Sequence, residues 1–276
     1  MQKLKNLAFV LIITFFLSSC SEYSTVLNKG LNVDRYKMAV EMYEKKDYKR
    51  AIELFEKIMG PYANKPQMER IQFMISDSYF RTENYAMSSY YFSKFITNYP
   101  ESSKVEEAAY YSAKSYFLAA PIYSKDQEDT YKALTAYQNY IDRYPNSSLI
   151  GEANKDYAKL NEKLQFKDYE VAHQYYHTGN YNAAIQAFEN FNEDHLGSKY
   201  KEETFYFSFK SAYYLGMKSV FSKKEERLSD ALLSYAKFTK TFPESDKLSE
   251  VEGMAVKLHE ELTKTREQLA TISQNN

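Results

Sequence analysis

Few side chains in this chain have the type and spacing that chemistry requires. Four histidines and one cysteine leave little material for a nucleophilic triad. The sequence contains no phosphate-binding glycine loop, G-x-S-x-G elbow, H-E-x-x-H zinc motif or calcium loop. One cluster could bind a metal, because Glu170, His173 and His177 share one face of a predicted helix and histidines at i and i+4 suit zinc. No third ligand of equal reach is evident, so we expect no metal, no cofactor and no enzyme activity.

The single cysteine is the other residue with a chemical role. A basic N-terminus precedes the apolar run Leu7 to Leu17, which is too short to span a bilayer and is typical of a signal peptide. The segment Leu17-Ser18-Ser19-Cys20 resembles the bacterial lipobox. Cleavage before Cys20 would leave its thiol free for acylation, and acyl chains at roughly 0.8 kcal/mol per buried CH₂ would hold the protein on a membrane. The alternative is a chance cysteine after an ordinary signal peptide.

The elements that position any binding residue are repeated helix pairs. In the stretch Tyr169 to Phe191, two helical patterns flank a turn at Gly179, which tolerates positive φ. The second pattern reads G-N-Y-x-x-A-I-x-x-F, which is typical of a tetratricopeptide repeat, a helix pair that buries its apolar face by stacking on neighbours. The pattern recurs along the chain around the small residues Ala51, Ser88, Ala133, Ala184 and Ala231.

These repeats predict an all-α fold, an α-solenoid of about five tetratricopeptide-like helix pairs with a C-terminal capping helix. Finer expectations are a first-repeat second helix ending at Met59, a capping box at Ser103, an insertion from Met217 to Arg227, and fraying beyond Gln268. The expected division is 1–19 lipoprotein signal peptide, 20–32 polar acylated tether, 33–147 repeats one to three, 148–167 connecting helix, 168–243 repeats four and five, and 244–276 capping helix and tail.

Aromatic residues recur in the first helix of each repeat. Two lie seven residues, or two helical turns, apart on one face. That face lines the concave groove of tetratricopeptide repeats, so the rings could bind an extended aromatic peptide; the alternative is that they pack between neighbouring helices. We predict peptide binding in the first two repeats, with Tyr43 and Phe80 nearer the mouth of each pair. The predicted binding residues are Tyr36, Tyr43, Phe73 and Phe80.

Composition limits the classes of partner. The net charge is −1, with 44% apolar and 26% charged residues, and no basic run accompanies the aromatic ones. A nearly neutral chain of this kind argues against nucleic acid as the main partner.

The lipobox, five repeats and a mature chain of roughly 250 residues together resemble the BamD family, the lipoproteins of the outer-membrane β-barrel assembly machinery. The most specific local match is the run from Phe166 to Ala172, followed by Tyr175-Tyr176 and Gly179. There the family enters its fourth repeat from a long helix. Leu196-Gly197 departs from the usual proline ending, and the fifth-repeat insertion is longer than the resemblance leads us to expect, so no contact residues are carried over.

The resemblance implies a non-enzymatic scaffold that is lipid-anchored on the periplasmic side of the outer membrane. Its C-terminal repeats would bind the periplasmic domains of a BamA-like barrel insertase. Its N-terminal repeats would receive the C-terminal signals of unfolded barrel substrates, which are extended and aromatic. Two alternatives stay open: another tetratricopeptide-repeat adaptor lipoprotein of the cell envelope, and a metal-dependent enzyme built around His173 and His177.

Overall fold

The computed structural model describes residues 22–274, and within that range it contains helices and turns but no β-strand. Consecutive helices pack on one another from α2 to α7 and from α9 to α12. The all-α solenoid of helix pairs is thus confirmed. The helices are α1 (residues 22–29), α2 (Asn32–Glu44), α3 (Tyr48–Tyr62), α4 (Gln67–Arg81), α5 (Tyr85–Asn98), α6 (Val105–Ala119), α7 (Glu128–Arg143), α8 (Ile150–His177), α9 (Tyr181–Asp194), α10 (Lys201–Met217), α11 (Phe221–Thr241) and α12 (Leu248–Gln274).

The chain forms two compact units, Met1–Leu160 and Asn161–Asn276. The boundary falls within α8, which runs without interruption from Ile150 to His177, as the missing turn signal predicts. In the first unit, α8 is attached to the third repeat through the buried carboxylate of Asp156, which accepts hydrogen bonds from the Tyr137 hydroxyl (3.0 Å) and the Lys114 ammonium. Burial alone would raise the pKa of Asp156, but these donors outweigh burial and lower it.

One packing scheme recurs in the second helix of each repeat. A small residue is fully buried where this helix meets its neighbours, and in four repeats the ring four residues later is fully buried as well. A ring of this size fills the space that the small residue leaves, so each pair reaches close packing only against its partner helices. The small residues are Ala51, Ser88, Ala133, Ala184 and Ala231, and the rings are Phe55, Phe92, Tyr137 and Phe188.

The turn inside three helix pairs uses the left-handed backbone region. Gly179 has φ 76°, as its position in the motif predicts, while Lys46 and Glu83 take the same conformation at φ 62° and 61°. The next residue then begins the second helix; Asp47 and Asn84 each accept a backbone N–H at 3.4 Å. The turn therefore forms with or without glycine, at some strain where a side chain is present.

The fourth repeat lacks the proline that follows the second helix in repeats two, three and five, yet its backbone turns in the same way. The residue after α9, His195, has φ −126° and ψ 58°, and its counterpart Tyr144 before Pro145 has φ −128° and ψ 58°. The His195 ring packs edge-on against Phe191 at 4.7 Å, and its Nε2 lies 3.0 Å from Asp168 Oδ2. These contacts hold the geometry that proline favours elsewhere.

The predicted polar tether is wrong in its described part. Residues 22–29 form α1, and Val26 and Leu27 pack against the core of the first repeat. The Tyr23 hydroxyl donates to Glu53 Oε2 at 2.5 Å, and the Arg50 guanidinium lies 5.0 Å from the Tyr23 ring centre. A few apolar residues at helical spacing were enough to dock this segment. Cys20 and the signal peptide lie outside the described residues.

Two other expectations also need correction, and the structure defines the conformation of the fifth-repeat insertion. Helix α3 continues past Met59 to Tyr62, since the Tyr62 ring stacks on Tyr36 at 5.5 Å. The capping box at Ser103 does not form, because the N-cap of α6 is Lys104, whose side chain makes no capping bond. The fifth-repeat insertion is largely helical, because α11 already begins at Phe221.

The added turns of α11 also explain why α12 is helical beyond Gln268 and as far as Gln274. Lys224 on α11 pairs with Glu261 on α12, and Arg266 Nε lies 2.8 Å from Glu225 Oε1. The two helix extensions therefore hold each other in place.

Substituting the buried Phe92→Ala should lower the free energy of unfolding by about 3–5 kcal/mol, because the lost ring leaves a cavity between the second and third repeats. The neighbouring Tyr90 is 47% exposed, so Tyr90→Ala should change stability by no more than about 0.5 kcal/mol. Chemical unfolding followed by circular dichroism measures both. Similar losses for the two variants would contradict the packing scheme.

Candidate functional site

A groove of about 470 Å³ lies between the first helices of repeats one and two. Its walls are α2, which contributes Tyr43, and α4, which contributes Phe73 and Met74. Phe95 of α5 and the aliphatic part of Lys104 close one side. The groove is therefore mostly apolar and aromatic, with charged groups at its rim.

Tyr43 is held in place by a buried carboxylate on the next repeat. Its hydroxyl donates to Asp77 Oδ2 at 2.7 Å, and Asp77, which is 5% exposed, also accepts from Arg81 Nε at 3.1 Å. Burial and the hydrogen bond to Asp77 both raise the pKa of Tyr43, so the phenol stays protonated. Its ring is thus fixed beside the groove before any ligand arrives.

Phe73 occupies the opposite wall. Its ring meets Phe92 and Phe95 edge-on, with centroids 5.9 and 5.5 Å apart. The Lys104 ammonium lies 5.3 Å from the ring centre, within cation–π range. One face of Phe73 is thereby packed, while the ring still lines the groove.

The rim charges are loosely paired. Arg70 lies 3.7 Å from Glu44, with both side chains more than half exposed, and Lys104 lies 2.8 Å from Glu107. Exposed pairs of this kind contribute little to stability. They are therefore available to rearrange around a polar peptide backbone. The sequence argument missed Arg70, although it falls three residues before Phe73, on the same face of α4.

The other two predicted residues are packed elsewhere. Tyr36 stacks on Tyr62, and Phe80 packs against Tyr111 at 4.8 Å and Tyr85 at 5.7 Å, in the interface between repeats two and three. Neither lines the groove. The structure thus brings Tyr43 together with Phe73, where the sequence had favoured Tyr43 with Phe80.

A second groove, of about 540 Å³, lies in the unit that begins at Asn161, between α9, α10 and α11. Its floor includes Ile185, Phe205 and Ala212, and the exposed Leu233 stands on one wall. The wall formed by α11 also carries charges of both signs, from Lys223 to Lys237.

Neither groove, as far as the described residues go, gathers a cluster that could hold a metal ion. Among residues 22–274, no group of three histidine, cysteine or acidic side chains could hold a metal ion. Over the same range, no helix is both long and apolar enough to cross a membrane. The geometry of both grooves suits the binding of another polypeptide.

Comparison with known families assigns most of the chain. A family model for the YfiO outer membrane lipoproteins matches residues 30–228, which include the helices of the first groove. The chain belongs to the YfiO outer membrane lipoprotein family. The match ends inside α11, so α12 lies beyond it.

Relatives with curated names agree with that family. An Aquifex aeolicus protein provisionally named outer membrane protein assembly factor BamD is 26% identical, over 70% of this chain and 67% of its own length. The outer membrane protein assembly factor BamD of Rickettsia prowazekii is 24% identical, over 66% of this chain and 72% of its own length. That of Caulobacter vibrioides is 22% identical, over 72% of this chain and 64% of its own length. A solved Podosopora anserina structure of kinesin-light-chain-type TPR-like repeats aligns over 75% of this chain and 95% of its own length. The TM-score is 0.32 and the identity 11%, and a similarity this low supports no inference.

His173 and His177, in the fourth repeat, belong to a cluster of aromatic rings. His173 lies face to face with Tyr169 at 5.4 Å and edge-on to Phe207 at 4.4 Å and His177 at 4.3 Å. Its buried Nε2 has no hydrogen-bond partner. Burial, and then the nearby His177, lower the pKa of His173, although Glu170 and Glu203 oppose that shift.

This environment predicts a stability that depends on pH. A histidine whose folded-state pKa lies below its ordinary value of 6.5 binds its proton more weakly when folded, so stability falls as pH drops through 6.5. The variant His173→Phe keeps the ring stack and should remove part of the stability loss between about pH 7 and about pH 5. The exposed His259→Gln, which removes a histidine outside the ring stack, is the control. The free energy of unfolding is measured across this pH range for the unmodified protein and both variants. Equal losses of stability in all three would contradict the prediction.

Proposed function

We propose that this YfiO-family protein is a non-catalytic scaffold in the assembly of outer-membrane proteins. The family match over residues 30–228 supports this role, as do relatives named outer membrane protein assembly factor BamD. Cys20 carries the lipid anchor, and the repeats lie on the periplasmic side of the outer membrane. The solenoid offers two grooves to polypeptide ligands.

The first groove binds an extended, aromatic segment of an unfolded barrel substrate. The observation that supports this most is the pairing of Tyr43 and Phe73 across one cleft, each fixed from behind by packing or a hydrogen bond. Side chains that are already ordered lose little entropy when a ligand binds. An aromatic side chain of the substrate would fit between the two rings, and Arg70 and Glu44 at the mouth would meet its polar backbone.

Truncating a groove ring should weaken peptide binding without unfolding the protein. Phe73→Ala and Tyr43→Ala should each weaken the affinity for a peptide from a barrel C-terminus by about 1–2 kcal/mol, or roughly 5–30-fold in Kd. Fluorescence anisotropy of a labelled peptide measures this. The conservative variant Tyr43→Phe keeps the ring and should bind more tightly than Tyr43→Ala.

Phe80→Ala is the matched control, because Phe80 belongs to the same set of rings but packs between repeats. It should lower stability by about 3–5 kcal/mol, while the folded fraction keeps its peptide affinity. Normal binding by folded Phe73→Ala and Tyr43→Ala proteins would show that the groove is not the peptide site.

The second groove receives the periplasmic domain of the barrel insertase. It is a large cleft, and its exposed Leu233 stands near Glu226 and Asp230, neither of which forms an ion pair within residues 22–274. An apolar residue ringed by unpaired charges has the character of a protein interface, in which a packed centre is surrounded by a polar rim.

A charge at the centre of that interface should abolish capture of the insertase. Leu233→Asp would place an unpaired carboxylate in the docked surface, so retention of the insertase in a detergent pull-down should fall at least about tenfold. Val256→Asp on α12 is the control, since Val256 is also an exposed apolar helix residue but lies outside the groove. Equal retention by both variants would exclude this groove, and failure of the unmodified protein to retain the insertase would favour a different envelope complex.

A further inference from the structure

The turn between α1 and α2 exposes two apolar side chains next to each other. Leu31 is 69% exposed and Val33 is 47% exposed. Single apolar residues on a surface are ordinary, but these two are only two residues apart, Leu31 at the N-cap of α2 and Val33 in its first turn. Lys29 and Lys37 on either side are exposed as well, as is Asp34.

Leu31 occupies a position where the helix would gain from a polar residue. It is the N-cap of α2, with φ −71° and ψ 158°, and its side chain makes no capping hydrogen bond. Asn, Asp, Ser or Thr at an N-cap accepts one of the free N–H groups of the first turn, which leucine cannot do. An apolar residue that serves neither the cap nor the core suggests a role outside the fold.

The turn is rigidly attached to the first repeat. Gly30 N–H donates to the Val26 carbonyl at 3.0 Å, and a Cβ at Gly30 would lie 2.6 Å from that oxygen, so the chain needs glycine for this close approach. Arg35 Nε donates to the Leu27 carbonyl at 3.2 Å and ties α2 back to α1. The direction in which Leu31 and Val33 point is therefore set by the fold.

The position of the turn in the chain indicates what covers it. Only Ser21 separates Cys20 from the first residue of α1. Helix α1 has eight described residues and spans about 12 Å. An acyl group on Cys20 would hold this docked helix beside the bilayer, with the apolar turn at its other end.

We propose that Leu31 and Val33 enter the interface of the lipid bilayer and form a second membrane contact. The proposal rests on the proposed acylation of Cys20. Apolar side chains favour the boundary between headgroups and acyl chains, and Lys29 and Lys37 can meet lipid phosphates there. Two contacts joined by a docked helix give the first repeat, and the groove that it helps to form, one orientation to the membrane. A flexible tether would allow many orientations.

A polarity-sensitive dye at position 31 tests the contact. The acylated mature protein is reconstituted into vesicles of phosphatidylethanolamine and phosphatidylglycerol. Leu31→Cys is then its only free thiol, because Cys20 is the sole natural cysteine and is blocked by acylation. Val220→Cys is the matched control: Val220 is the N-cap of α11, with ψ 151°, no side-chain capping bond and 66% exposure. We expect a blue shift and quenching by bromine-labelled lipids at position 31 and neither at position 220.

The possible outcomes separate the two proposals. Equal emission at positions 31 and 220 in vesicles that retain the protein would overturn the membrane contact while leaving the anchor in place. A shift that appears only in native membranes and not in pure lipid would assign the turn to a protein partner and overturn the lipid assignment. A protein mass without acyl chains would overturn the anchor and the contact together.

A second variant tests whether Leu31 serves the fold instead. Leu31→Asn supplies the missing cap, so its melting temperature in detergent should rise, while a dye at Val33→Cys should lose part of its blue shift. A lower melting temperature would show that Leu31 stabilises the repeat and would overturn the proposal.

Discussion

Every helix pair in this chain depends on its neighbours, because a pair of amphipathic helices cannot cover its own apolar face. The fully buried alanines and the serine of the second helices let adjacent backbones approach, and the buried rings one turn later fill the space between them. A defect in one repeat therefore exposes the next. The same dependence accounts for the terminal helices: α1 packs on the first repeat, and the stripe of Val251, Leu258 and Leu262 on α12 packs on the last.

Polar contacts between neighbouring helices orient side chains within this stack. Tyr43 reaches Asp77 in the next repeat, and the Tyr206 hydroxyl and Lys210 ammonium reach Glu250 at 2.7 and 2.9 Å. Burial would lower the pKa of Lys210, but its hydrogen bonds to Tyr206 and Glu250 outweigh burial and raise it. The Tyr43 phenol thus turns towards the next repeat while Tyr43 lines the first groove, and the Tyr206 phenol turns towards the capping helix α12. The groove of repeats one and two follows from this arrangement.

Departures from the repeat consensus alter the molecule less than their sequences suggest. Leu196-Gly197 stands where repeats two, three and five have proline, yet the backbone at His195 matches Tyr144 within a few degrees. The fifth-repeat insertion adds helix to α11 and pairs it with α12, and the same helix forms one wall of the second groove. The proposed partner surface therefore includes residues that a minimal repeat does not contain. The extension of α11 thus provides contacts that a minimal repeat lacks.

Local patterns were sufficient for the all-α repeats, because spacing, small residues and turn chemistry act within one helix pair. They predicted the fold class and the turn at Gly179, and they identified Tyr43 and Phe73 as members of a ring set. They could not indicate which of those rings line a groove and which are packed between helices. Phe80 occupies the position in its helix that Tyr43 occupies in its own, and Tyr36 the position of Phe73. Yet Tyr111 covers Phe80 and Tyr62 covers Tyr36. Those neighbours lie far away in sequence, so burial was decided only by tertiary packing. The same reason explains α1, whose few apolar residues become significant only because the first repeat offers a surface to dock on.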